Sequence, residues 1–354
     1  MTINATALKD VGAGPARNKN LEGGSGTSPA APRRGRWSSP WLDFALRRAG
    51  GLLLSLMILV VITFMIVPLI PGDPAVAIAG TDATPAAVAA LRERMGLNDP
   101  LGVRFVDYVG GLLQLDLGTS FRFGLPVTDI VAAKLPFTAQ LAVMAIAVVL
   151  LVSIPVGMAV GILTRGGRNR WLDVTFANVA GFLASLPGYV VGTLLIVVFA
   201  IVWPVLPAGG ADSLSALVLP TAALALGPTA AVARVVRRET STVLEQDYMR
   251  TARGRRLPAA RLYLRHALPN LMTSTLTLTG LILASLLGGA IIVETVFNYP
   301  GIGSEIIQAI IYRDYPVIQG IILTVGLIAT LLTLLVDIVL GLIDPRTLGS
   351  KTHG

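Results

Sequence analysis

Cysteine is absent from the 354 residues, and histidine occurs only twice, as His266 and His353. The first absence excludes disulfides and thiolate metal sites. The second leaves no cluster for a histidine-built metal site, and none is expected. Charge is also scarce, at 14% of residues against 54% hydrophobic, with a mean hydropathy of +0.74. A soluble domain needs more charge than that to cover its surface, so long apolar segments are expected. A G-x-x-x-x-G-K-[ST] phosphate loop is missing, so the chain is not expected to bind ATP or to be an enzyme. Gly166-Gly167 and Gly23-Gly24-Ser25-Gly26 are too short and too badly placed for nucleotide loops, and no spacing of Asp, Ser and His suggests a catalytic triad. The net charge of +8 raises nucleic acid as a partner, but arginine-rich loops at one membrane face explain it without one. Arginine outnumbers lysine by 24 to 4, a bias that points to a GC-rich genome.

What is present is a set of six charge-free stretches: 49–70, 135–164, 174–211, 213–233, 267–293 and 315–336. Each holds the roughly 20 residues that a helix needs to cross the hydrocarbon core. The third is long enough for two short helices, and Pro187-Gly188 and Trp203-Pro204 interrupt it. Arginine placement decides the count. The N-terminal tail, the 165–170 turn with Arg165, Arg168 and Arg170, the 234–266 loop with nine arginines, and the end with Arg346 and Lys351 share one side if the third stretch crosses once. That side is cytoplasmic by the positive-inside rule, and both termini lie on it.

Residues 1–45 are rich in Gly, Ala, Ser, Pro and Arg and are expected to be a disordered basic tail. Residues 46–70 form the first transmembrane helix, 71–134 an extracytoplasmic loop with short helices, 135–343 a five-helix core, and 344–354 a short cytoplasmic tail. In the long loop, Thr84 before Pro85 reads as an N-cap with proline at the first helical position. The fold class is all-α, polytopic and membrane-embedded. A cysteine placed at Ser120 is expected to be reachable from outside, and one at Ser241 only after lysis. The middles of all six stretches lack charge, which argues against an ion-coupled secondary transporter or a channel working alone.

The most informative polar segment is Asp247-Tyr248-Met249-Arg250-Thr251-Ala252-Arg253-Gly254-Arg255-Arg256-Leu257, followed by Pro258 and by His266-Ala267-Leu268-Pro269-Asn270. It reads as a short helix, a turn, and a second helix feeding the fifth span. The segment resembles the EAA loop of ABC importer permeases in its dipeptide/oligopeptide version. Further fragments match that family in order. They are Pro71-Gly72-Asp73-Pro74, Leu91–Pro100, Leu117-Gly118-Thr119-Ser120-Phe121, Pro126-Val127, Val293–Gly303, Arg313–Gly320 and Asp344-Pro345-Arg346. Three positions depart from the family: Arg256 stands where it has glycine, Leu115 where it has glycine, and Thr333 where it often has asparagine.

The resemblance implies a type I importer permease with six transmembrane helices, forming a pathway with a homologous permease. Two ATPase subunits below would hold ATP-Mg, and an extracytoplasmic binding protein would deliver di- or oligopeptides. Nickel, glutathione or an oligosaccharide are alternative cargoes. No cofactor is expected on this chain; its partners are these subunits and the lipid bilayer, in the cytoplasmic membrane of a bacterium. The coupling joint to the ATPase is assigned to Asp247, Tyr248, Arg250, Thr251, Ala252, Arg253, Gly254, Arg255, Arg256 and Leu257, within a loop spanning 238–266. Ala252 is expected to face a groove on the partner, and Arg256 to sit in a turn with positive φ.

A second group, Glu294, Asn298, Pro300, Gly301 and Gly303, is expected at an outer gate or in the loop structure around it. Glu294 either lines the gate or fixes the adjoining loop, with Arg313 as a partner, and the structural role is favoured. Asp73 is read as a turn residue, Asp337 as an interhelical or interfacial one, and His266 as packing or capping.

Overall fold

The computed structural model describes residues 40–69, 73–80 and 83–343. The expectations for most of the N-terminal tail, for Pro71-Gly72, for Asp344-Pro345-Arg346 and for the C-terminal tail lie outside the described residues. The chain runs through α1 (Pro40–Leu69), α2 (Pro74–Ala79), α3 (Pro85–Arg94), α4 (Leu101–Leu113), α5 (Val127–Leu163), α6 (Arg170–Ser185) and α7 (Gly188–Ile196). It continues with α8 (Val218–Glu245), α9 (Asp247–Gly254), α10 (Ala259–Arg261), α11 (Leu268–Val296), α12 (Ile302–Ile311) and α13 (Tyr315–Ile343). No strand occurs among the described residues; two residues, Thr119 and Pro126, form an isolated bridge.

Five segments are each long and apolar enough to cross a membrane: Arg48–Leu69, Val127–Leu163, Leu214–Glu245, Thr275–Val296 and Tyr315–Val339. The sixth is a broken pair, Arg170–Ser185 and Gly188–Val202, bent by 92°. The break sits at Leu186-Pro187, where Leu186 is extended and proline cannot continue the hydrogen-bond ladder of the first arm. Contacts at its two ends place them at opposite ends of the bundle, as a single crossing requires. At its start, Asp173 forms an ion pair with Arg237 in the second half of α8. Beyond its end, Gly210 donates its N–H to the Phe297 carbonyl (3.0 Å), at the end of α11 remote from the arginines. The 165–170 turn and the 234–266 segment therefore share one end of the bundle, here called the basic end.

The most extensive helix–helix contact joins α5 and α8. Gly157 and Gly161, one turn apart on α5, let the backbones meet. A Cβ at Gly157 would lie 2.6 Å from the Ala233 carbonyl oxygen, and one at Gly161 2.8 Å from that of Arg237. Membrane helices associate by such close packing, since lipid removes the hydrophobic drive between them. Around this seam Leu141, Val149, Val232, Val236 and Leu271 are buried. α5 has 37 residues; at 1.5 Å per residue it is about 55 Å long, so it extends beyond a hydrocarbon core of about 30 Å.

Between α1 and α5 the chain folds into short helices at the opposite end. Asp73 caps α2 by accepting the Ala75 N–H (2.9 Å), and it pairs with Arg92 of α3. The Arg92 guanidinium holds the Asp73 carboxyl below the usual carboxylate range. Thr84 caps α3 through the Ala87 N–H (3.3 Å). α4 packs its Phe105 and Tyr108 on Phe64 of α1, with ring centroids 5.1 and 5.7 Å apart.

Ser120 is buried and hydrogen-bonded to Asp314, so it is a poor labelling site. Leu113, which is 83% exposed at the same end, replaces it. In the cysteine-free chain, Leu113→Cys should react with an impermeant maleimide in intact cells, and Thr242→Cys only after lysis. Labelling of both before lysis would contradict the topology.

Candidate functional site

At the basic end, α8 stops at Glu245 because Gln246 is extended, and α9 begins at Asp247. α9 is amphipathic. Met249 and Ala252 point inward and join the core with Leu244, Leu262 and Ala267. Arg253 folds back to donate to the Leu244 carbonyl. Asp247, Tyr248, Arg250, Thr251, Gly254 and Arg255 are exposed. Tyr248, Thr251 and Arg255, spaced by three and four residues, share the outward face. This corrects one expectation. Ala252 does not present its methyl group outward; it packs within its own chain, because its spacing from Met249 puts both on the face that the core covers.

The helix ends in a tight turn. The Arg255 N–H bonds to the Thr251 carbonyl (3.1 Å) and the Arg256 N–H to that of Arg253 (2.8 Å). Arg256 has φ +53°, the left-handed region that glycine occupies without a Cβ clash. Leu257 is half-buried against the core, and the chain enters α11 through α10 and a π-helical turn at Leu262–Ala267. In that turn the His266 carbonyl accepts from the Asn270 side chain (2.8 Å). Relief of the left-handed strain should make Arg256→Gly neutral to stabilising, by at most about 1 kcal/mol. Arg256→Pro requires φ near −65° and removes the bonded N–H, so it should destabilise the loop by about 3 kcal/mol. Thermal melts of the detergent-purified protein check both.

At the opposite end, Glu294 in the last turn of α11 is fully buried. One carboxylate oxygen accepts from the Thr138 hydroxyl of α5 (2.6 Å). The other accepts the N–H groups of Gly303 (2.7 Å) and Ser304 (3.3 Å), the first turn of α12, where the helix dipole favours an anion. Thr138 Oγ1 in turn accepts the Ile302 N–H (2.9 Å). Glu294 thus ties α5, α11 and α12 together. No ion pair joins it to Arg313, the partner considered from sequence; that place belongs to Thr138 and the α12 N-terminus.

The two glycines fit around this carboxylate. A Cβ at Gly301 would lie 2.3 Å from Glu294 Oε2, and one at Gly303 2.3 Å from the Ile291 Cα. Between them and α11, Asn298 takes φ +47° at an exposed turn, a conformation asparagine tolerates. Pro300 is half-buried, and Phe297 and Tyr299 are buried on either side of the turn.

A second buried carboxylate, Asp314, has no counterpart among the site residues expected from sequence. It accepts from the Ser120 hydroxyl (2.5 Å) and from the N–H groups of Phe121 (3.0 Å) and Arg122 (3.2 Å). The Arg122 guanidinium stacks 3.7 Å from the Tyr312 ring centroid. The fragments 117–121 and 313–320, separate in the sequence, are therefore one structural unit. Nothing in a single sequence joins them, since the partners are 194 residues apart. Asp337 pairs with Arg48 of α1 (2.7 Å), an interhelical contact near the basic end.

α8 and α11 each run from the basic end to the opposite end, and α11 carries Glu294 there. No group of three or more histidine, aspartate or glutamate side chains that could hold a metal ion occurs among the described residues.

Residues 153–349 match the family described as binding-protein-dependent transport system inner membrane component, and residues 41–142 match its N-terminal membrane component. Among curated proteins, a putative peptide transport system permease protein of Brucella suis biovar 1 (strain 1330) is 35% identical over 309 residues, covering 85% of this chain and 97% of that one. A glutathione transport system permease protein of Salmonella typhimurium (strain LT2) is 38% identical over 304 residues, covering 86% and 98%. An inward-facing structure of the MetNI methionine ABC transporter aligns with a TM-score of 0.49 at 19% identity, over 63% of this chain and 98% of that one, a distant likeness that says nothing of cargo.

Proposed function

Because the chain belongs to the family of binding-protein-dependent transport system inner membrane components, we propose that it imports small peptides across a bacterial inner membrane as one of two homologous permeases. An extracytoplasmic binding protein delivers the peptide, and two ATPase subunits on the basic, cytoplasmic side hold ATP-Mg and supply the work. The peptide class rests on the named cargo of the relatives, peptide and glutathione, both built from amide-linked amino acids. Neither name points to nickel or to an oligosaccharide.

The observation that carries the mechanical part is α9. Its exposed face, Tyr248, Thr251 and Arg255, is what an ATPase groove would grip. Its buried face, Met249 and Ala252, with the Arg253 bond to Leu244, fixes it to α8 and to the start of α11. A push on α9 is then transmitted to two spans rather than absorbed by a loose loop. Closure of the ATPases on ATP would move the basic ends of these helices and open the pathway toward the binding protein.

The test is co-purification of the chain with its second permease and ATPases, followed by hydrolysis assays with binding protein and peptide. Hydrolysis should rise several-fold when peptide-loaded binding protein is added, with glutathione and dipeptides competing for the same stimulation. Hydrolysis indifferent to binding protein and peptide, in an intact complex, would overturn the reading.

A further inference from the structure

Beside the coupling segment, at the turn joining α5 to α6, lies a cavity of about 430 Å³. Ile162 and Leu163, the last residues of α5, and Tyr263 line it together with Arg165 and Arg168. Neither arginine has a carboxylate partner or a side-chain hydrogen bond among the described residues. The acidic residue of α6, Asp173, is taken by Arg237. A third guanidinium, Arg253, stands close by. Burial first, and then the Arg165 charge, hold it below its ordinary pKa. It donates to the Leu244 carbonyl, a neutral acceptor that leaves its charge uncompensated.

Like charges gathered around a cavity with no counter-ion from the described residues call for an anion from elsewhere. The level of the site says which anion. It lies at the basic end of α5, the end that the positive-inside rule assigns to the cytoplasmic face. Trp171, one residue into α6, is 71% exposed there, as tryptophan is at membrane–water boundaries. Leu163 and Val174 are exposed beside it, surfaces suited to acyl chains rather than water.

We propose that this cavity binds the phosphate of an anionic phospholipid of the cytoplasmic leaflet, with Arg165 and Arg168 on the phosphate oxygens and the glycerol–acyl region against Leu163 and Tyr263. Basic pockets between transmembrane helices on this side are suited to such headgroups. The lipid neutralises the repulsion that otherwise acts on Arg253, and so steadies the segment that Arg253 anchors.

The test is native mass spectrometry of the assembled transporter, titrated with phosphatidylglycerol or phosphatidylcholine. The wild type should retain about one phosphatidylglycerol per copy of this chain and release phosphatidylcholine. The double variant Arg165→Gln/Arg168→Gln should bind phosphatidylglycerol about tenfold more weakly or worse, on the scale expected for two basic contacts at an anionic surface. Arg165→Lys/Arg168→Lys, which keeps the charge, should largely preserve binding and so separates loss of the site from loss of the fold. Equal retention by wild type and the Gln variant would overturn the proposal. Displacement of the lipid by millimolar inorganic phosphate would overturn it too, in favour of a free-anion site. Loss of ATPase subunits from the Gln variant with lipid retention unchanged would reassign the arginines to a carboxylate on that partner.

Discussion

Glu294→Ala should collapse the segment that closes the bundle opposite the basic end. Three donors lose their acceptor: the Thr138 hydroxyl and the N–H groups of Gly303 and Ser304. The site is fully buried, so water does not replace the carboxylate, and a buried donor without a partner costs about 1–3 kcal/mol. The summed loss is about 3–5 kcal/mol, large enough to lower the thermal midpoint of the purified protein markedly. Glu294→Gln keeps one acceptor for α12 but puts an amide donor where a carboxylate oxygen stood, so its cost should be about 1–2 kcal/mol. Gly303→Ala strains the same joint from the other side. Its Cβ meets the Ile291 backbone, which cannot move aside as a flexible side chain can, at about 1–3 kcal/mol. A gating role for Glu294 predicts the opposite pattern. Glu294→Gln would then melt like the wild type while uptake failed, and that result would displace the structural assignment.

Ala252→Trp and Thr251→Trp should separate folding from docking at adjacent positions. Ala252 is buried beside Met249, so an indole there overpacks the core of the chain itself. Such insertions cost about 1–3 kcal/mol, and more where the backbone cannot shift. Ala252→Trp should therefore lower the melting point and release the ATPases. Thr251 is exposed, and its hydroxyl makes only a local bond to the Asp247 carbonyl (3.1 Å). Thr251→Trp should leave the stability within about 0.5 kcal/mol of wild type, as exposed substitutions do. It should nonetheless abolish peptide-stimulated hydrolysis, because a large ring on the outward face leaves no room for a partner surface. Normal uptake by Thr251→Trp at wild-type levels would mean that this face touches nothing.

Sequence alone determined the features that depend on neighbouring residues. Six charge-free stretches have the length of a bilayer core whatever surrounds them, and an arginine-rich loop marks its side of the membrane by its own composition. The Thr84 and Asp73 turns were legible for the same reason, since each side chain bonds an N–H two or three residues on. The left-handed turn at Arg256 was legible through the family's glycine at that position, a local backbone preference. Only the tertiary structure decided where buried charges found their partners. Glu294 meets Thr138 across 156 residues, and Asp314 meets Ser120 across 194. Threonine and serine are common enough that no pattern singles those two out. The inward turn of Ala252 and the Gly157–Gly161 seam are of the same kind. Each depends on which helix lies opposite, and a residue's own spacing says which face it shares but not what covers that face.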